Sequence, residues 1–139
     1  MDAVYFLQGY EKALKQIDHL KRKKEMLKSM AEKITVDPSV DHVQSFGKQD
    51  ITGNVAASIA MVDSDIQDAS IVAEEECATI MNVLAKLNRI EEAQILLMRH
   101  IDLLKHKEIQ ERLAMSERTE YRKYNRGIED VQHLINNGS

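Results

Sequence analysis

With no tryptophan, one proline, one cysteine and five glycines in 139 residues, the chain is poorly equipped for several fold classes. Sheets with many tight turns draw on glycine, proline and aromatic or β-branched runs, and only two Phe and four Tyr accompany the missing Trp. Cys77, being alone, can neither close an intramolecular disulfide nor build a zinc site of several thiolates, which suits a reducing compartment and a small buried apolar role. Nowhere do about 18 apolar residues run together, and the opening MDAVYFLQGYEKAL lacks the basic flank and continuous apolar core of a signal peptide. The expectation is a cytoplasmic protein with no membrane partner.

Chemistry-bearing patterns are equally scarce. His19, His42, His100, His106 and His133 are scattered, without a metal-binding spacing. There is no glycine-rich phosphate loop and no nucleophile elbow, and acidic neighbours such as Glu91 and Glu92 are ordinary on a solvated helix. No catalytic residue, no metal site and no cofactor are expected, and the chain is not read as an enzyme.

What the sequence does have is charge and helical period. Apolar residues make up 43% and charged residues 30%, a balance suited to long amphipathic helices, so the expected fold class is all-α. The formal net charge of -4 argues against indiscriminate coating of nucleic acid, so basic character has to be sought segment by segment.

From Phe6, the residues Tyr10, Ala13, Ile17, Leu20, Lys24, Leu27, Ala31 and Ile34 keep four-three spacing, with Lys24 the one polar member. A second series runs Val55, Ile59, Val62, Ile66, Ala69, Ala73, Glu76, Ile80, Val83, Leu87 and Ile90, with Glu76 as its break. Between them, TVDPSVDHVQSFGKQD interrupts the pattern, and Asp50 or Thr52 is a natural cap for the helix that follows. These features predict a long antiparallel coiled-coil hairpin over residues 1–88, with a loop at about 35–50. Ile17, Leu20, Leu27, Ile59, Val62, Ile66, Ile80 and Leu87 would carry the seam and drive homo-oligomerisation. Antiparallel pairing would set the KRKK run at 21–24 beside Asp63, Asp65 and Asp68, and Glu74–Glu76 near Lys12 and Lys15.

Residues 89–137 read as a separate unit of three short helices. In KEIQERLAMSERTEYRKYNRGIEDV the apolar residues change phase near Ala114, Met115 and Ser116, which predicts two helices at an angle with Ser116 capping the second. A helix-turn-helix of this kind can set its second helix in a DNA major groove. That helix offers Ser116, Arg118, Tyr121, Arg122, Lys123, Asn125 and Arg126, and residues 117–126 hold four basic against two acidic side chains. A solvated charged face has similar spacing, so spacing alone leaves DNA binding open.

The stretch ILLMRHIDLLKHKEIQERLAMSERTEYRKYNRGIEDV resembles the helix-turn-helix of sigma-factor region four, through Glu108, Ile109, Leu113, Met115, Ser116, Arg118, Tyr121, Arg122 and Ile128. The amino-terminal part, with HVQSFGKQD ahead of a long helix, is similar to small phage transcriptional regulators of the RinA and ArpU type. The resemblance implies a sigma-like domain on a helical hairpin, double-stranded DNA as ligand, and activation of phage late genes for packaging or lysis in a bacterial host cell. Host RNA polymerase is a possible partner of the VQSFGKQD segment, whose plainer role is a hairpin connection. Gln110, Glu120 and Lys123 depart from the family pattern, standing where it has small or apolar residues; an unpaired buried charge there would be costly. The competing reading is a coiled-coil interaction or structural protein whose carboxy-terminal unit does not bind DNA.

Overall fold

The computed structural model describes residues 1–36 and 45–137. They are all-helical, with no strand among the described residues: α1 (Ala3–Leu7), α2 (Gly9–Val36), α3 (Ser45–Ala85), α4 (Ile90–His100), α5 (His106–Leu113) and α6 (Glu117–Asn136). No helix among the described residues is long and apolar enough to cross a membrane. Of the expected loop, residues 37–44 lie outside the described residues, while α3 is already under way at Ser45, ahead of the expected caps Asp50 and Thr52.

The chain divides into two compact units, one of Met1–Leu14 with Val72–Ser139 and one of Lys15–Ile71. The boundary at 88/89 that periodicity suggests falls inside the first of these units. The amino terminus belongs with the carboxy-terminal helices because Gln132 on α6 ties it down: its Oε1 accepts from the Ala3 amide at 2.7 Å and its Nε2 donates to the Met1 carbonyl at 2.8 Å. Asp2 caps α1 by accepting from the Tyr5 amide, and the helix stops at Gln8 before α2 restarts at Gly9.

The core of this first unit joins Ala3, Leu7, Ile80, Leu84, Leu96 and Val131, with Tyr10, Leu87, Tyr124 and Ile128 packed around it. Ile80 and Leu87, assigned from spacing to a coiled-coil seam, are therefore part of a globular core, because α1 and α6 supply the apolar cover there. A second cluster of Ile95, Met98 and Ile109, flanked by Leu104, Leu113 and Met115, fastens α4 to α5. Glu76 breaks the apolar series for a local reason. Its carboxylate lies over Gly9, where any Cβ would collide with it, and it shares a shallow groove with Lys12, whose ammonium sits 3.9 Å from the centre of the Tyr5 ring.

In the second unit Leu20, Val55 and Val62 are buried, whereas Ile17, Leu27, Ile59 and Ile66 are half-buried. Lys24, the polar member of the first series, reaches Asp63 at 2.6 Å. Its ammonium thereby keeps a partner while its stem covers apolar surface.

Candidate nucleic-acid interface

Helix α5 ends in a Schellman turn. Ala114 is left-handed at φ 52, ψ 46, the Met115 amide bonds the Gln110 carbonyl at 2.9 Å, and the Ala114 amide bonds the Glu111 carbonyl at 3.4 Å. Ser116 then begins α6, its Oγ accepting from the Thr119 amide at 3.2 Å. The change of phase in the sequence is thus a real interruption between two helices, and the chain does not continue as one rod.

The face α6 turns inward follows from its spacing. Glu120, Tyr124, Gly127, Ile128 and Val131 recur at three and four residues, and α4 and α5 pack on that side. At Gly127 the approach is so close that a Cβ would lie 2.9 Å from Leu96 Cδ1. The opposite side carries Arg118, Arg122, Asn125 and Arg126, all exposed, with Tyr121 40% exposed beside them. Ser116 is exposed at the helix start. Among the described residues no carboxylate pairs with the three arginines.

Lys123 is not with them. Its side chain is 19% exposed and its ammonium lies 2.7 Å from Glu91 on α4, so it braces α6 instead of joining the outward cations. Two of the other departures from the family pattern also find partners. Glu120 is wholly buried, and its carboxylate accepts from Gln110 Nε2 at 3.0 Å and meets His106 Nδ1 at 2.9 Å. A buried carboxylate costs little once it has such donors. The His106 ring is itself held, stacked on Tyr121 with centroids 4.6 Å apart and edge-on to Tyr124 at 4.8 Å.

Tyr124 continues the network to α4, its hydroxyl 2.9 Å from His100 Nε2. Burial lowers the His100 pKa to about 4, with smaller contributions from Arg99 and His106, so the ring is neutral near pH 7. Burial also raises Tyr124, an effect that Arg99 opposes and Glu120 reinforces. His100 Nδ1 is buried with no hydrogen-bond partner among the described residues.

The polar cluster of His100, His106, Gln110 and Glu120 was not singled out from the sequence. The available signal was the i,i+4 pair His106 and Gln110 on α5, one short turn before a carboxylate standing at an apolar position of α6. Comparison with family models, curated proteins and solved structures finds no match for this chain.

Proposed function

We propose that the chain is a sequence-specific DNA-binding transcription regulator, in which α5, the turn and α6 act as a helix-turn-helix. The observation that carries this reading is the one-sided surface of α6: Arg118, Arg122 and Arg126 face solvent unpaired, against Glu117 as the sole exposed acidic side chain over residues 117–126. With Glu120 buried and Lys123 spent on Glu91, this face keeps three cations against one carboxylate, the same net +2 as its raw composition, although the whole chain carries -4. Arg118 and Ser116 sit at the helix start, where groove-reading side chains belong, and Arg122, Asn125 and Arg126 continue along the same side.

In the same proposal α2 and α3 pair antiparallel and carry the regulator's self-association. Chain length supports the direction. With Lys24 against Asp63, parallel helices would leave about 45 Å between the end of α2 and the start of α3, whereas nine residue steps reach at most about 32 Å. The finer assignment, an activator of phage late genes acting with host RNA polymerase in a bacterial cytoplasm, rests on the resemblance to RinA and ArpU-type regulators.

Binding to fragments of the native genome across a salt series tests the reading. A specific fragment should be bound, and Arg118→Ala and Arg122→Ala should each weaken it and lower the slope of log affinity against log salt by about one. Absence of binding at every salt concentration removes the proposal; unchanged affinity in both variants removes this face. The competing reading of a protein-interaction module is favoured by the exposed Met26 and Met61, and a specific protein partner captured without any DNA affinity would establish it.

A further inference from the structure

The second unit has apolar residues in an unexpected place. Its seam series, Leu20 and Val62 above all, is turned inward within one chain, so those residues are not available to a second one. Met26 and Met61 are 66% and 68% exposed, and Met30 is 44% exposed. At about 100° per residue, Met26 and Met30 stand roughly 100° off the stripe of Leu20, Lys24 and Leu27. Met61 stands about the same angle off Val62 and Val55, in the same rotational sense. In an antiparallel pair, equal rotations in one sense bring residues to one side. The Lys24–Asp63 contact also fixes the level: two residues further along α2 is Met26, and two residues back along α3 is Met61. The methionines therefore form one patch on one face.

Charge on that face is split between the helices. Exposed Lys23 and His19 extend the patch along α2, and exposed Asp65 and Asp68 extend it along α3. None of the four has an ion-pair partner among the described residues.

We infer that this methionine face binds a second copy of the chain, through a two-fold axis parallel to the helices, so that α2 of each copy lies on α3 of the other in a four-helix bundle. The axis direction follows from charge. A two-fold across the helices would lay the basic α2 on its own equivalent, whereas one along them stacks Met26 on the partner's Met61 and sets Lys23 against the partner's Asp65. His19 approaches the partner's Asp68 at the same register. Small helical units commonly gain the burial they lack by such association. The inference rests on the antiparallel pairing proposed above, and is independent of whether α6 binds DNA.

Sedimentation of the full chain over a wide concentration range is the first test, with a dimer expected. Met26→Glu with Met61→Glu should weaken it at least about tenfold without loss of helical circular dichroism, both side chains being exposed. Lys23→Glu should weaken the dimer, and adding Asp65→Lys should restore it. Geometry is read with a short bismaleimide in a Cys77→Ser background. Chains carrying Lys23→Cys mixed with chains carrying Asp65→Cys should cross-link to a dimer, more readily than either alone. A wild-type monomer, a dimer indifferent to the paired glutamates, or cross-linking of Lys23→Cys chains chiefly to one another would each overturn the inference. Lys24→Cys with Asp63→Cys should link within one chain whatever the oligomeric state; its failure would instead locate the error in the helix pairing.

Discussion

His106 Nδ1 and the Glu120 carboxylate lie 2.9 Å apart across the turn that joins α5 to α6, with the glutamate wholly buried. This contact turns an apparent misfit in α6 into a fastener between α5 and α6. Removing the imidazole leaves Gln110 as the remaining side-chain donor to a carboxylate that water does not reach. Loss of one partner of a buried pair typically costs about 3–5 kcal/mol. His106 is partly exposed, so His106→Ala is expected to fall below that range, at about 2–3 kcal/mol, measured as a fall in urea midpoint at unchanged slope. Glu120→Gln, which keeps the shape and removes the charge, should cost less.

His100 predicts a pH dependence whose sign is fixed by its burial. Its folded pKa, lowered to about 4, lies below the ordinary value of about 6.5, so the unfolded chain binds the proton more readily than the folded one. Stability from this group is therefore fully present above about pH 6.5 and is lost as pH falls toward 4. At about pH 5 the loss amounts to about 2 kcal/mol. His100→Phe should flatten the difference in unfolding free energy between about pH 7.5 and pH 5 by that amount. A variant with the same pH slope as the parent would show that another group is responsible.

The parts of this fold that were legible in the sequence are those written in one helix at a time. Helical period gave the all-α class, and the phase break with Ser116 placed the interruption before α6 because a cap acts within three residues. The stop at Gln8 was hidden, since the apolar spacing from Phe6 to Tyr10 carries straight across it. Ile80 looked like a coiled-coil residue because spacing records that a face is apolar and says nothing of which helix covers it. The Glu120 cluster failed to appear for a related reason: its donors sit ten and fourteen residues away on another helix, and a polar residue at an apolar position reads as a defect until its partners are known. Lys123 likewise reads by spacing as one of the cations of α6, because its partner Glu91 lies on another helix.

Gly127 offers a test of how closely α4 and α6 approach. A methyl there would meet Leu96 Cδ1 at 2.9 Å, Leu96 Cγ at 3.1 Å and the Glu92 carbonyl oxygen at 3.3 Å. Alanine in a helix interior ordinarily gains about 1 kcal/mol over glycine. Here the crowding opposes that gain, because Leu96 is wholly buried in the core with little room to swing aside and the Glu92 carbonyl is backbone, and overpacking costs about 1–3 kcal/mol. Gly127→Ala should therefore lower the melting temperature, while Gly53→Ala, with nothing within 4 Å, should raise it.

Ala114 makes the opposite prediction for adding a glycine. Its φ of 52 is the left-handed conformation that a Schellman turn demands, and a Cβ there costs roughly 1–2 kcal/mol in contact with its own backbone. Glycine removes that strain but gives the unfolded chain more freedom, which takes back about 0.4–1 kcal/mol. The balance favours Ala114→Gly by up to about 1 kcal/mol in stability, read as a higher urea midpoint. Ala114→Val, whose branched side chain tolerates this conformation poorly, should lose stability. If both substitutions were neutral, the residue would not be left-handed in solution, and the turn that aims α6 would have to be built differently.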